Sequence, residues 1–358
     1  HARAGRPVRA VEMLNTPVPG PGSTMASVVQ TTRFARFPLG HFPTPLEPLE
    51  RLTARLRERH RDVPDLWIKR DDCTGLATGG NKTRKLEFLV GDALAQGADT
   101  LITQGATQSN HARQTAAAAA RAGLGCKLLL EQRQVRDEEY ENSGNVLLDE
   151  LLGAEIVDRV PAGTDMPAAM ETVAEKLRAQ GRRPYVIPGG GSNPIGALGY
   201  VQCALELDAA PVPVDWVVHA TGSTGTQAGL VAGLRAVHSP ARVLGVSVRQ
   251  PEARQIDAVH GLAARTAELI GAEVSRDDVL VDDRWVGEGY GVPTQSMVDA
   301  VRLLAETEGI LLDPVYSGKG FAGLLGEIGE GRFAATDTVV FVHTGGAVGL
   351  FGYRSTFQ

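Results

Sequence analysis

Long apolar runs are missing from this chain of 358 residues: nothing approaches the roughly 20 consecutive apolar residues that a bilayer-spanning helix needs, so no membrane role is expected. Basic clusters are missing as well. The formal net charge is −6, and with no clustered basic face the chain is not expected to bind nucleic acid. Cysteine is scarce. Cys73, Cys126 and Cys203 cannot all pair and show no metal-ligand spacing, and no secretory signal is evident, so a reducing cytoplasm is the expected compartment and no metal is expected. No residue-level repeat or low-complexity tract follows Met25. What remains is ordinary for a globular chain, 43% hydrophobic and 22% charged, and long enough for two compact domains or one large domain with an insertion.

Residues 1–24 are rich in Pro, Gly and Arg without apolar periodicity; a disordered extension or cloning remnant is expected there, with Met25 as the native start. A transit peptide fits less well, because Glu12 lies within the segment and no amphipathic face emerges. From Asn81 onward, helical and strand patterns alternate. Helices are expected near 81–96, 110–122, 144–152 and 166–179, with short strands at 100–103, 127–130, 155–157 and 185–187, a small parallel α/β unit. The triple glycine 189–191 marks a turn and a domain crossing. A second α/β series follows, with helices near 195–207, 227–237 and 294–308 and strands at 216–219, 243–248 and 339–343. The strand 66–69 is assigned to this later half. The fold class expected is α/β with two parallel-sheet domains, residues 80–192 forming a smaller one inserted in a larger one of 25–79 and 193–358.

Chemistry concentrates in a few segments. Gly79-Gly80-Asn81-Lys82-Thr83-Arg84-Lys85 offers a lysine where glycines let the backbone approach a flat ring closely, and Asn81 is placed to cap the helix that follows. A lysine amine attacks a carbonyl only when neutral, which desolvation or a nearby cation favours. Taken alone, Lys82 and Lys85 are ordinary solvated lysines at a helix start. Gly222-Ser223-Thr224-Gly225-Thr226 separates a strand from a helix, presenting backbone N–H groups and hydroxyls suited to a phosphate. It is neither a nucleoside-triphosphate loop, since no Gly-Lys-Ser/Thr follows, nor a dinucleotide turn. Gln108-Ser109-Asn110-His111 sits at a similar junction, where a helix start could hold a substrate carboxylate or Ser109 or Asn110 could merely cap. There Ser109 could also relay a proton, and His111 fits a structural role better than a catalytic one. Tyr316 could stack on a ring, and Thr344 could meet a ring nitrogen.

Together these segments carry a resemblance. Lys-Arg-Asp-Asp (69–72), Gly-Gly-Asn-Lys-Thr-Arg-Lys-Leu-Glu-Phe (79–88), Gln-Ser-Asn-His (108–111), Gly-Gly-Ser-Asn (190–193), Gly-Ala-Leu-Gly-Tyr (196–200), Asp-Pro-Val-Tyr (313–316) and His-Thr-Gly-Gly (343–346) resemble the family of D-cysteine desulfhydrases and 1-aminocyclopropane-1-carboxylate deaminases. These are pyridoxal 5'-phosphate enzymes with the fold of the tryptophan synthase β-subunit, and the resemblance runs from about Phe34 to the C-terminus. It implies a Schiff base at Lys82 and a bond from Asn110 to the cofactor's ring hydroxyl. Ser109 would lie beside the substrate carboxylate, with His111 in the same substrate-side segment. Gly222, Ser223, Thr224, Gly225 and Thr226 would cradle the phosphate. Tyr316 and Tyr290 would face the substrate, and Thr344 would contact the pyridine nitrogen. Lys82, Ser109 and Tyr316 would carry catalysis. A small-molecule amino-acid substrate and a homodimer are likewise implied.

The branch turns on two positions. The deaminases carry glutamate where this chain has Ser317 and leucine where it has Thr344. A carboxylate near the pyridine nitrogen keeps it protonated and strengthens the ring as an electron sink, whereas a neutral hydroxyl suffices when a good leaving group drains charge from the substrate. Ser317 and Thr344 therefore favour a carbon–sulfur lyase, with D-cysteine or L-cysteate as substrate; the run 71–85 resembles the cysteate sulfo-lyases slightly more. A sulfonate needs an added donor or cation, and no residue of the sequence identifies itself as that group. The family's terminal Gly-Gly-Ala-Pro-Ala-Leu-Phe reads Gly-Gly-Ala-Val-Gly-Leu-Phe here (345–351). Deamination of the cyclopropane amino acid is the alternative activity, and a non-catalytic amino-acid-binding module the alternative of another class.

Overall fold

Alternating apolar residues that point to opposite faces of a strand need a covering layer on each side, and the central strands here have both. The computed structural model describes residues 29, 31–134 and 136–358; the expected extension 1–24 lies outside the described residues. In chain order the elements are β1 (Leu46–Pro48), α1 (Glu50–Arg57), β2 (Asp65–Lys69), α2 (Lys82–Ala95), β3 (Thr100–Ala106), α3 (Asn110–Ala122), β4 (Gly125–Gln132), α4 (Glu138–Asn142), α5 (Gly144–Leu151), β5 (Glu155–Pro161), α6 (Met166–Ala179), β6 (Pro184–Val186) and α7 (Pro194–Asp208). There follow β7 (Trp216–Thr221), α8 (Gly225–Ala236), β8 (Arg242–Ser247), α9 (Glu252–Ile270), β9 (Val279–Asp282), α10 (Gln295–Glu308), α11 (Ser317–Gly329) and β10 (Thr338–Val342).

Two sheets result. The larger runs β1-β2-β10-β7-β8-β9 and is parallel except for β1; the smaller runs β5-β4-β3-β6 and is parallel throughout. All four strands of the smaller sheet fall in sequence between β2 and β7 of the larger. In β10, Val339 and Phe341 pack with α10 and α11 residues on one face, while Val340 and Val342 pack with α7 and α8 residues on the other. That is the buried pattern of a parallel strand covered on both sides. The helix α2 joins the two units: Leu86, Leu89 and Val90 enter the core of the smaller sheet, and Phe88 packs with Leu198, Val201 and Ala232 of the larger.

The motif 69–72 explains itself here. Arg84, on α2, is 2% exposed and forks onto Asp71 (2.8 and 2.9 Å) and onto Glu206 (2.8 Å to each oxygen). Lys69 reaches Glu206 at 2.7 Å, and the Tyr200 hydroxyl donates to Asp71 at 2.6 Å. Burial opposes Asp71's charge, but Arg84 and the donating hydroxyls of Tyr200 and Thr44 outweigh it and hold the carboxyl below its usual range. The network locks the start of α2 to the large sheet.

Several local expectations need correction. Asn81 does not cap α2: its backbone is helical and its side chain makes no capping bond. Gln114 takes that role instead, accepting from the Thr83 N–H (2.9 Å), while the Asn81 N–H donates to the Thr344 carbonyl (3.0 Å). The helix after the Gly/Ser/Thr loop begins at Gly225, two residues earlier than expected, which puts Gly225 and Thr226 in its first turn. Five elements escaped the sequence reading in the second half and lead-in: β1, α1, α9, β9 and α11. The short α4 escaped it too.

Candidate active site

In open parallel sheets, ligands bind where strands end and helices begin. The C-terminal ends of β3, β4, β7, β8 and β10, from both sheets, open onto one cavity of about 360 Å³. Lys82 stands in its wall. The turn that delivers it is built around Gly79, whose φ is +74° and whose Cβ, if it had one, would lie 1.9 Å from the Asp72 carbonyl oxygen. No side chain fits there. Arg113, fully buried on α3, braces the same turn by donating to the Ala77 carbonyl, the Thr78 hydroxyl (2.6 Å) and the Gly79 carbonyl (3.1 Å).

Lys82 is half-buried, its amine facing the cavity, and its bonded partner is the neutral Asn81 Oδ1 at 3.0 Å. Burial lowers its pKa to about 8, against the pull of the more distant Asp313 carboxylate. Asp313 cannot pair with it closely, because its oxygens already take the N–H groups of Val315, Tyr316 and Ser317 and the Ser317 hydroxyl, a set that caps α11. Lys85, one turn on, is fully buried, and its Nζ donates to the Gly190 carbonyl at 3.1 Å. Burial and the neighbouring Lys82 push it well below the ordinary lysine pKa.

Opposite lies the phosphate-type loop. Gly222, Ser223, Thr224 and Thr226 line the cavity; Gly225 sits just behind, with Lys85 Nζ 3.0 Å from where a side chain on it would begin. Thr224 holds a φ of +67°, a conformation costing on the order of 1–3 kcal/mol for a non-glycine residue. It turns the chain so that the first amides of α8 point inward. Asn81 Nδ2 reaches the Thr226 hydroxyl at 3.1 Å, so the residue next to Lys82 touches the loop directly. Hydroxyls of Ser192, Ser223, Thr224 and Thr226, a helix N-terminus and a buried lysine form a donor set that fits a phosphate, with a neutralisable amine across the cavity to fit an aldehyde. Pyridoxal phosphate fits these residues.

The remaining expected residues line the same cavity. Ser109 Oγ accepts from the Ala112 N–H (3.1 Å) and so caps α3, leaving Asn110 and the helix start facing inward. His111 bonds Thr103 Oγ1 at 2.8 Å through Nε2. Thr103's single proton goes to the Ile187 carbonyl, so Nε2 is the donor and Nδ1, buried and without a partner among the described residues, carries the lone pair. Burial, then Lys82 and Lys85, hold the ring neutral. The Tyr290 and Tyr316 hydroxyls meet at 2.9 Å, and burial raises the pKa of both, keeping them protonated. Thr344 lines the cavity; Ser317 does not, its hydroxyl being bound to Asp313 Oδ1 at 2.6 Å behind the wall.

Sequence reasoning missed three contributors. Arg133, just past β4, and Arg249, just past β8, both reach the cavity wall; their position after a strand's C-terminal end was the available signal. Lys319 is buried on α11 and clamps the Val286 (2.6 Å) and Gly289 (2.9 Å) carbonyls, fixing the loop that presents Tyr290. From the small unit, Gln134 donates to the Tyr290 carbonyl at 2.9 Å, which ties that loop across the cleft.

The chain is similar to known proteins. Residues 38–345 match the family described as pyridoxal-phosphate dependent enzyme. A D-cysteine desulfhydrase of Klebsiella pneumoniae subsp. pneumoniae is 48% identical over 332 residues, covering 92% of this chain and 99% of its own. One of Salmonella choleraesuis is 48% identical over 327 residues, covering 90% and 97%. Among solved structures, an ACC deaminase homologue superposes with a TM-score of 0.81 at 38% identity, covering 91% of this chain and 96% of its own.

Proposed function

The chain belongs to the family of pyridoxal-phosphate-dependent enzymes, and we propose that it is a β-eliminating carbon–sulfur lyase, converting a cysteine-like amino acid to pyruvate, ammonia and sulfide or sulfite. The observation that carries this is Lys82: an amine with no carboxylate in contact among the described residues, across one cavity from a hydroxyl-rich helix start. At neutral pH a lysine of pKa about 8 is neutral in roughly one molecule in ten, against about one in three thousand for an unperturbed one.

When bound, pyridoxal phosphate supplies the aldehyde that Lys82 holds and a ring that withdraws charge from the substrate's Cα. The chain's own groups do the rest. Ser223, Thr224, Thr226 and Lys85 would anchor the phosphate, Asn110 would take the ring hydroxyl, and Thr344 would offer a neutral hydroxyl to the ring nitrogen. The α3 start at Ser109 and Asn110 binds the substrate carboxylate. The Lys82 amine would hold or move the Cα proton. Of the Tyr290–Tyr316 pair, held protonated by burial, one hydroxyl donates to the other, and the remaining proton would be donated to the departing sulfur. His111 would stay a neutral ring in the cavity wall, held by Thr103.

Ser317 and Thr344 speak against cyclopropane opening, because neither adds a carboxylate near the ring nitrogen. The reading extends to two domains, 25–79 with 193–358 and 80–192, with the cofactor in the cleft. It also extends to a homodimer, two-fold dimers being the commonest closed assembly, and to a cytoplasmic enzyme. No helix among the described residues is long and apolar enough to cross a membrane. A panel of D-cysteine, L-cysteine, L-cysteate and 1-aminocyclopropane-1-carboxylate tests the activity. We expect pyruvate from D-cysteine or L-cysteate and essentially no oxo acid from the cyclopropane. Efficient opening of the cyclopropane, with neither sulfide nor sulfite from the others, would overturn the proposal.

A further inference from the structure

Arg133 and Arg249 line the cavity, and among the described residues no carboxylate lines it. Two anionic parts of the proposed chemistry already have partners: the phosphate at the start of α8 with Lys85, and the substrate carboxylate at the start of α3. The two arginines are left over. Cysteine brings no second anion to meet the donors that these two guanidinium groups still have free.

Their placement is specific. The Arg133 guanidinium lies 5.0 Å from the centre of the Tyr290 ring, beside the Tyr290–Tyr316 pair. Its Nε is tied to Glu131, whose other oxygen is occupied by the Gly163 N–H, so the Nη groups of Arg133 remain to serve a ligand. Arg249 is exposed at the cavity mouth, and its side chain makes no hydrogen bond among the described residues. Its charge is felt by both Glu131 and Tyr290, which places it with the same cluster. Both arginines thus stand on the tyrosine side, where the substituent on the substrate's Cβ would depart.

We infer that Arg133 and Arg249 form a sulfonate subsite, and that the substrate is a β-sulfonated amino acid, cysteate, in preference to cysteine. This rests on the β-elimination reading. Three sulfonate oxygens suit the Nη donors of Arg133 and the free guanidinium of Arg249, and a tetrahedral oxyanion on Cβ would meet both. Loss of the Cα proton supplies the electron pair for the Cα–Cβ double bond while the Cβ–S bond breaks. Sulfur departs with that bond's pair as sulfite. The released 2-aminoacrylate takes up water to give pyruvate and ammonium. The sum is cysteate plus water to pyruvate, ammonium and hydrogen sulfite, with no oxidant or reductant.

The holoenzyme and its Arg133→Gln, Arg249→Gln and double variants are assayed with both enantiomers of cysteate and of cysteine, following pyruvate, sulfite and sulfide. Calorimetry with 3-sulfopropanoate and with propanoate reports the subsite without turnover. The expected wild-type result is a kcat/KM for one cysteate enantiomer at least about ten-fold above that for either cysteine, and at least ten-fold tighter binding of 3-sulfopropanoate than of propanoate. The double variant should lower the cysteate-to-cysteine ratio by about 30-fold or more, mostly through KM, with Arg249→Lys recovering part of the single-variant loss. Cysteine turnover with no cysteate turnover and no sulfopropanoate preference would sink the subsite and leave the lyase reading standing. Equal loss on both substrates in the variants would also overturn it. Elimination from none of the four would instead sink the lyase reading; the subsite would then stand or fall on whether the sulfopropanoate preference exists and disappears in Arg249→Gln.

Discussion

Lys82 and Arg84 are two residues apart at the start of one helix, yet the fold treats their charges in opposite ways. Arg84 points to the large sheet and is gripped by Asp71 and Glu206, with Tyr200 and Thr44 completing the carboxylate's shell. Lys82 points to the cavity and meets an amide oxygen. A buried cation with fitted anions is a fixture; one without them can lose its proton, and only the second kind serves as a nucleophile. The same helix turn thus separates a charge used for anchoring from an amine used for chemistry, and the carboxylate nearest the amine, Asp313, is kept occupied by the cap of α11.

The contrast breaks most completely at Lys82. Lys82→Ala should lower turnover by on the order of 10⁴-fold or more and remove the visible absorbance of lysine-bound cofactor, with little change in the unfolding midpoint. Activity surviving in that variant would make Lys85 the first suspect. Arg84→Met should show the reverse: a loss of roughly 3–5 kcal/mol in urea unfolding, because Asp71 is left buried without its partner. A stable, fully folded Arg84→Met would mean that the network contributes little to holding α2.

Much of this was legible beforehand. The alternation of strand and helix follows from local periodicity, whereas a shared site for Lys82, Ser109, Thr224, Tyr316 and Thr344 was implied by the family resemblance, each segment being weak alone; all five line one cavity. The misses have physical causes. Helix α11 contains Gly318, Gly320, Gly323 and Gly326, poor helix formers that hide it from propensity; at Gly326 a Cβ would stand 1.9 Å from the Trp285 ring, so packing overrides local preference. Helix α9 was announced by Pro251, Glu252 and Gly271, signals that passed unread. Arg133 and Arg249 look like loop arginines because their meaning lies in which strands their loops follow. Ser317 illustrates the converse: its type was noticed, but only the structure shows its hydroxyl spent on Asp313.

Smaller effects sharpen the contrast. Lys319, like Lys82, has no carboxylate partner among the described residues, yet it is spent on two loop carbonyls; burial lowers its pKa to about 8. Lys319→Met should loosen the Tyr290 loop and lower kcat/KM by about ten-fold, while leaving cofactor absorbance in place. Loss of the absorbance as well would assign Lys319 to the cofactor itself. The smallest effect is in pH. In cofactor-free protein the Lys82 amine titrates near 8, against 10.5 for ordinary lysine, so the unfolded chain binds more protons between those values and stability should rise as pH increases through that window. Lys82→Met should flatten part of the rise, seen as a smaller gain in unfolding midpoint from pH 8 to 10; an unchanged slope would mean that the amine is not desolvated.

Reducing the holoenzyme with borohydride fixes the cofactor to whichever lysine holds it, and mass spectrometry of the digested protein then reads the position. The phosphopyridoxyl group is expected on Lys82 alone. Its appearance on Lys85 or Lys319, or on no lysine, would contradict the division of labour at the start of α2.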